Sequence, residues 1–259
     1  MSYNKTQVVS KKDAQGKFSL LLKPGDYVFS FYYNNNFYEI TTSSIPVLPQ
    51  NRMEIEVLFH DANFPTICRK PVIYIYPKIE TQINVKLELK GQLDFTYPVY
   101  NPETGWSFSA GPSGTITTQN KKYNYLFWEG VTTIETAKIN SDEGFIVSKP
   151  ELVNFFEEKL SAMGFNSKES ADFITYWAPL MSANEKNYIH FLFNEEFAQY
   201  AKLTITPTPD KVFRVFMLWS KAEENSTTVL IPQQIQSFER TGFTVVEWGG
   251  TEQKINFKL

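Results

Sequence analysis

The chain has 259 residues, of which 42% are hydrophobic and 20% charged, and its formal net charge is −3 at pH 7. This composition is typical of a globular protein with one large or two modest domains. The slight acidity excludes the basic face that binds nucleic acid, and no apolar run approaches the roughly 20 residues of a membrane-spanning helix. We therefore expect no nucleic-acid partner and no transmembrane segment.

Cysteine and histidine are scarce, with one and two copies in the chain. A lone Cys68 excludes an internal disulfide framework and a cysteine-rich zinc site. His60 and His190 lack the spacing of a metal-binding motif, so we expect no metal and no cofactor. On its strand, His190 is expected to be a hydrogen-bonded packing residue. The first residues contain no apolar segment of the signal-peptide kind, so we expect a cytoplasmic protein or one that has lost its leader.

Residues 1 to 60 predict β structure. Turn signals stand at Gly16 and at Pro24-Gly25, where glycine adopts a positive φ angle at no steric cost. β-prone runs, several of them alternating, cover residues 17–22, 27–33, 37–42 and 53–59. Several short strands at close spacing indicate a small sandwich.

Part of this segment also carries a family resemblance. The run Asp13-Ala14-Gln15-Gly16-Lys17-Phe18-Ser19-Leu20, followed by Pro24-Gly25-Asp26-Tyr27-Val28, resembles the carboxypeptidase regulatory-like family of transthyretin-type β-sandwiches. The resemblance covers about the first 60 residues, and the family's usual opening strand is not recognisable. Such modules usually serve as accessory or spacer domains in extracytoplasmic proteins. The resemblance thus implies a β-sandwich module over residues 1–64 and a location outside the cytoplasm, in the periplasm or at the cell surface.

The pattern changes from strands to helices at Ser148. Ser148-Lys149-Pro150-Glu151 has the S-x-x-E form of a capping box, in which the serine oxygen accepts an orphan N–H and the glutamate reaches back. Apolar residues then recur at helical spacing up to Gly164, and a second helix is predicted from Ser167 until Pro179 ends it. Strands follow this second helix.

These elements predict a mainly β protein with an α+β part. A small N-terminal β-sandwich precedes an α+β domain over residues 65–259, in which two helices pack on a mixed or antiparallel sheet. Residues 67–259 also resemble an uncharacterised bacterial family without an established activity. The matching segments are 70–77, 96–98, 125–129, 176–179, 214–217 and 242–250.

Two carboxylates are the sharpest candidates for catalysis. Glu129 and Glu247 each stand at the end of an apolar run, beside a tryptophan and a glycine. Burial beside an indole raises a carboxyl pKa, as a general acid requires, and a suitably spaced pair cleaves glycosidic bonds. The favoured interpretation is structural: one of the two forms an ion pair with Arg214, which lies between two apolar residues.

The aromatic residues, 16% of the chain, admit two interpretations. Their rings could line a cleft that stacks on sugar rings or on a peptide, since an amphipathic ring offers an apolar face and a polar tip. Alternation along strands equally describes a core layer, which is the favoured interpretation. The candidate binding residues are Tyr74, Tyr76, Tyr97, Trp106, Tyr125, Trp128 and Trp248.

Together these patterns favour a non-catalytic extracytoplasmic protein that binds a glycan, a peptide or a partner protein. Two alternatives stay open: a hydrolase of a polysaccharide or cell-wall polymer that uses Glu129 and Glu247, and a structural subunit without a small ligand. A row of exposed rings would favour ligand binding, and a large apolar patch would favour a protein partner. The hydrolase requires both carboxyl groups in one open cavity, about 5–9.5 Å apart.

Overall fold

The computed structural model describes residues 17–32, 40–57, 66–134, 140, 142–222 and 230–253. The chain divides into two compact units, Met1–Phe59 and His60–Leu259. The boundary expected between residues 64 and 65, the expected turn at Gly16 and the side chain of His60 lie outside the described residues.

The described part of the first unit contains two antiparallel pairs of short strands. Its strands are β1 (Gly25–Tyr27), β2 (Ser30–Phe31), β3 (Ile40–Thr41) and β4 (Ile45–Val47). β1 pairs with β4, and β2 pairs with β3. The rings of Tyr27, Phe29 and Phe31 stack in sequence at 6.2 and 6.4 Å, because alternate residues share a face. Residues 17–22 and 53–57, which we expected in strands, form none and are mostly exposed.

The second unit has two sheets in its described part. Its strands are β5 (Thr66–Tyr76), β6 (Thr81–Leu89), β7 (Gly91–Tyr97), β8 (Trp106–Ala110), β9 (Ile116–Thr118), β10 (Lys121–Tyr123), β11 (Leu126–Thr132), β12 (Phe145–Ser148), β13 (Lys186–Phe193), β14 (Ala201–Thr206), β15 (Lys211–Lys221) and β16 (Thr244–Glu252). The seven-stranded sheet has the order β12-β13-β15-β16-β5-β11-β7 and is antiparallel except between β15 and β16. The five-stranded sheet, β10-β9-β8-β6-β14, is antiparallel throughout.

The seven-stranded sheet lies between two other layers. The helices of the described part are α1 (Leu152–Met163), α2 (Ser167–Met181) and the single-turn α3 (Glu195–Ala198). α1 and α2 pack on one face, where Val72 and Tyr74 point, and the five-stranded sheet covers the other face, where Ile73 points. Burial on both faces explains the nearly continuous apolar runs of β13 and β15. The predicted class, mainly β with helices on a mixed sheet, is confirmed.

The start of α1 differs from the sequence prediction. Ser148 Oγ donates a hydrogen bond to Glu151 Oε2 at 2.6 Å but caps no backbone N–H, and a 3₁₀ turn over Lys149–Glu151 precedes the helix. The S-x-x-E pattern therefore forms a side-chain contact in place of the predicted capping box. Gly164, with φ of 91°, ends α1 as predicted, because glycine tolerates this left-handed conformation.

α2 begins at Ser167, as predicted, but it ends later than predicted. A full capping box forms at Asn166, whose side chain accepts from Glu169 N while Glu169 accepts from Asn166 N, both at 2.9 Å. The helix continues through Pro179 to Met181. Pro179 sits in the last turns, where the buried side chain of Met181 keeps the helix against the sheet.

A bulge interrupts β5 in the middle of the seven-stranded sheet. The register with β11 and with β16 shifts around Lys70 and Pro71, and Lys70 has a positive φ of 54°. A proline has no N–H to donate to a neighbouring strand, so a central strand tolerates it only at such a bulge. Lys70 N donates instead to Glu129 Oε1 at 3.3 Å. The bulge thereby reorients the side chains around Lys70.

Candidate functional site

Glu247 lies in a closed cluster between the two sheets. It is 0% exposed, and it is the register neighbour of Arg214 on β15. Arg214 Nε donates to Glu247 Oε2, and Trp128 Nε1 donates to Oε1 at 2.9 Å. The guanidinium group also lies over the Phe197 ring, 4.8 Å from its centroid. Both carboxylate oxygens are therefore occupied by buried donors, and no substrate reaches them.

Glu129 points to the opposite face of the same sheet. Its neighbour Trp128 packs toward the five-stranded sheet, so alternation directs Glu129 toward the helix side, where it is half-buried. The structure therefore does not bring Glu129 and Glu247 into one cavity, and Arg214 pairs with Glu247 alone of the two. This geometry corrects the catalytic hypothesis, because a hydrolytic acid pair must face one substrate from the same space.

Most of the candidate binding rings are core residues. Trp106, Trp128, Trp248 and Tyr74 are each 3% exposed or less. Three of them have hydrogen-bond partners for their polar groups: Trp128 donates to Glu247, Trp106 Nε1 donates to Pro98 O at 2.8 Å, and the Tyr74 hydroxyl donates to Asp172 at 2.8 Å. Burial and the nearby Asp172 carboxylate raise the pKa of Tyr74. The binding role considered for these four rings is corrected to core packing.

The remaining rings lie at the same end of the seven-stranded sheet. Tyr97 is 56% exposed, Tyr125 is half-buried, and Tyr76 is half-buried nearer the helices. Two rings that the sequence did not suggest lie near Tyr97. Phe95 is 57% exposed, and Phe127 is the residue of β11 that pairs with Tyr97. The Phe95 and Phe127 rings meet edge to face at 5.8 Å.

We call this region the aromatic surface. It consists of Phe95, Tyr97, Tyr125, Phe127 and Tyr176. The helix-side core draws on β5, β13, β15 and β16 but contains no residue of the edge strand β7. Tyr125 and Phe127 pack on this core as half-buried rings, whereas the exposed rings of β7 lie beyond it.

Lys70 stands at the centre of the aromatic surface. Its Nζ lies 5.8, 5.4 and 5.3 Å from the ring centroids of Tyr125, Phe127 and Tyr176, within the range of cation–π attraction. Burial and the Glu129 carboxylate raise the pKa of Tyr176. The bulge thus places an ammonium donor and a carboxylate acceptor among partly exposed rings.

Sequence reasoning missed Phe95, Phe127, Tyr176 and Lys70 as members of a surface. One signal was available: Pro71, in a run that otherwise predicts a central strand, indicates a bulge. Bulges often lie beside functional sites because they re-aim side chains. The exposure of Phe95 had no local signal, since it depends on where the helix layer ends.

The two other side chains with reactive chemistry, His190 and Cys68, lie outside the aromatic surface. His190 borders a cavity of about 340 Å³, where its Nδ1 lies 3.2 Å from Glu143 O and its Nε2 lies 3.3 Å from Gln233 Nε2. Burial lowers its pKa and keeps the ring neutral, so His190 is a hydrogen-bonded packing residue. Cys68 is a buried free thiol whose pKa is raised by burial and by Glu247, which makes it unreactive.

Two features are absent from the described ranges. No group of three or more histidine, cysteine, aspartate or glutamate side chains there is arranged to hold a metal ion. Among the described helices, none combines the length and the apolar character needed to cross a bilayer.

Comparison with known proteins gives one relative of unassigned activity. The chain is 44% identical over 62 residues to a protein described as "Uncharacterized protein in bglA 3'region" from Butyrivibrio fibrisolvens. The match covers 24% of this chain and 65% of that protein's length. No family model and no solved structure matches the chain.

Proposed function

We propose that the second unit is a non-catalytic carbohydrate-binding module, with the aromatic surface as its glycan site. The observation that carries this proposal is the pair of neighbouring rings Phe95 and Tyr97. Both are more than half exposed and lie two residues apart on β7, where the Phe95 ring meets Phe127 and the Tyr97 ring meets Tyr123. Exposed large rings beside a charged donor and a charged acceptor are what a sugar chain requires.

The chemistry of the surface matches the chemistry of a sugar ring. A pyranose presents an apolar C–H face, which stacks on an aromatic ring, and a rim of hydroxyl groups. The Lys70 ammonium group donates to such hydroxyls, and the Glu129 carboxylate accepts from them. The engagement of both Glu247 oxygens by Arg214 and Trp128 supports binding without hydrolysis.

Addition of a partner strand to the edge of the sheet is a weaker alternative. β7 is the edge strand, but its register with β11 shifts at Asp94, which inserts a charged bulge residue into that edge. Bulges and charges on edge strands oppose pairing with another chain. We therefore favour recognition by the side chains of the aromatic surface over recognition by the backbone of β7.

The proposed location is extracytoplasmic. It rests on the resemblance of the first 60 residues to accessory modules of extracytoplasmic proteins. A polysaccharide ligand of the cell wall or of the environment would also lie outside the cytoplasm.

A glycan array, followed by affinity electrophoresis in gels that contain each polysaccharide found, tests the function. We expect the intact chain to be retained, and the double variant Phe95→Ala/Tyr97→Ala to bind at least about tenfold more weakly, a loss of about 1.4 kcal/mol. The matched control is Tyr32→Ala, which removes a 65% exposed ring from the first unit and should leave retention unchanged.

Two results would overturn the glycan assignment. One is a blank array. The other is retention that the Phe95→Ala/Tyr97→Ala variant leaves unchanged. Capture of a protein that depends on these two rings would instead assign the aromatic surface to a protein partner.

A further inference from the structure

A second cavity, lined by none of the five rings of the aromatic surface, lies between the C-terminal half of α2 and the seven-stranded sheet. Its volume is about 310 Å³, at the lower end of the range of small-molecule pockets. Arg69, Trp177, Trp219 and Glu252 line it together with Leu180 of α2 and with Ala183 and Asn184, which follow that helix. None of these residues belongs to the proposed glycan site.

The two tryptophans of this cavity have unused hydrogen-bond donors. Trp177 and Trp219 are 0% and 5% exposed, and the indole N–H of each is buried without an acceptor in the described part of the chain. Buried donors are almost always paired, so two unpaired indoles around one cavity indicate a missing acceptor. An indole only donates, so the missing group is an acceptor such as a carboxylate.

Gly250 leaves space for the Trp177 ring at the wall of the cavity. It lies on β16 between Met217 and Arg69 of the neighbouring strands. A Cβ atom at this position would lie 2.8 Å from the Trp177 ring and 2.7 Å from Met217 O, closer than carbon atoms approach. The bare backbone therefore lets the Trp177 ring lie directly on the sheet at the wall of the cavity.

The mouth of the cavity carries one charge of each sign. Arg69 on β5 pairs with Gly250, and Glu252 lies two residues further along β16. Such diagonal neighbours in antiparallel strands are roughly 7–8 Å apart. Across the described ranges, neither residue forms an ion pair of its own. A ligand with both charges would complement both residues.

We propose that this cavity binds a small zwitterion with an apolar body, of the α-amino acid class. The ligand carboxylate accepts from the indole N–H groups of Trp177 and Trp219 and faces Arg69. The ligand ammonium group faces Glu252, and the ligand side chain packs on Leu180 and Ala183. The volume of about 310 Å³ is sufficient for one such molecule.

Titration calorimetry of the full chain with the common L-amino acids tests the proposal. We expect at least one apolar amino acid to bind, and its decarboxylated amine and its deaminated acid each to bind at least tenfold more weakly. Leucine, isopentylamine and 4-methylpentanoate form one such set. If no amino acid binds at millimolar concentration, or if the deaminated acid binds as tightly as the amino acid, the zwitterion assignment is overturned.

Three variants locate the site. Arg69→Gln and Glu252→Gln each remove one charge and should weaken binding at least tenfold. Trp219→Phe removes one indole N–H and should weaken binding several-fold, while any loss of stability of the free protein reflects the smaller buried ring and not a lost hydrogen bond. The matched control is Lys202→Gln, an exposed charge on β14, which should leave binding unchanged. Binding that survives both charge variants contradicts the proposed site.

The two proposals fail independently. The Phe95→Ala/Tyr97→Ala variant should keep full amino-acid affinity, and the Arg69→Gln variant should keep full glycan retention. Loss of both ligands in either variant would indicate a shared structural defect and would contradict the separation of the two sites.

Discussion

Among single residues, the buried pair Arg214–Glu247 has the largest expected effect on stability. Each charge has been removed from water, and each depends on the other for compensation. The Trp128 indole completes the shell of the carboxylate. Removing one partner of such a pair is far more costly than replacing both by apolar residues, because a lone buried charge stays behind.

We expect Glu247→Gln to lower the free energy of unfolding by about 3–5 kcal/mol, since the Arg214 guanidinium loses its counter-charge inside the protein. Urea denaturation followed by circular dichroism measures this change. The double variant Arg214→Met/Glu247→Leu should be less destabilised than Glu247→Gln. A single variant within 1 kcal/mol of the wild type would contradict the buried ion pair.

An exposed ion pair supplies the control. Lys202 and Glu88 approach to 3.5 Å on the five-stranded sheet, with both side chains 63% exposed. Solvent screens such a pair, so Glu88→Gln should change the free energy of unfolding by less than about 1 kcal/mol.

At the level of helices and strands, two similar sequence patterns have different structural outcomes. Ser148 to Glu151 and Asn166 to Glu169 both place a capping residue three positions before a glutamate. Only Asn166 forms the reciprocal box, because Glu169 is held there by burial and by its ion pair with Arg240. Local spacing permits a cap, and tertiary contacts decide whether it forms.

We expect Asn166→Ala to lower the free energy of unfolding by about 1 kcal/mol, because the N–H of Glu169 loses its acceptor. Asn166→Ser, which keeps a side-chain oxygen, should recover most of this loss. Ser148→Ala should cost less than about 0.5 kcal/mol, because Ser148 caps no backbone group. Equal losses for Ser148→Ala and Asn166→Ala in urea denaturation would contradict this distinction.

For the molecule as a whole, the second unit carries its own hydrophobic core. Both core clusters consist only of residues from Cys68 onward, and they fill the spaces on the two faces of the seven-stranded sheet. A unit with its own core of this size meets the physical requirement for independent folding.

We therefore expect residues 60–259 to fold without the first unit. Their urea unfolding should be cooperative and should have the same midpoint as the corresponding transition of the full chain. All five tryptophans of the chain lie beyond residue 100, so tryptophan fluorescence reports on this unit alone. For the fragment, unfolding curves from circular dichroism and from fluorescence should therefore coincide. A fragment that binds hydrophobic dyes and unfolds without cooperativity would show that the core is incomplete.

The sequence by itself determined the class of the protein and the buried face of α1. Alternation in β5 and β15 and helical spacing in α1 are local patterns, and local patterns follow from backbone geometry. It also predicted an ion pair for Arg214 but offered two partners. Glu247 was selected by the register of β15 and β16, which no local pattern specifies.

Only the tertiary structure decided which groups face solvent and which groups meet. Trp128 and Glu247 are 119 positions apart in the chain, yet they share a hydrogen bond because β11 and β16 flank β5. Phe95 and Tyr97 are exposed because the helix layer stops short of β7. Strand order and layer coverage depend on contacts between distant segments, and these contacts determine which rings form a core and which form a surface.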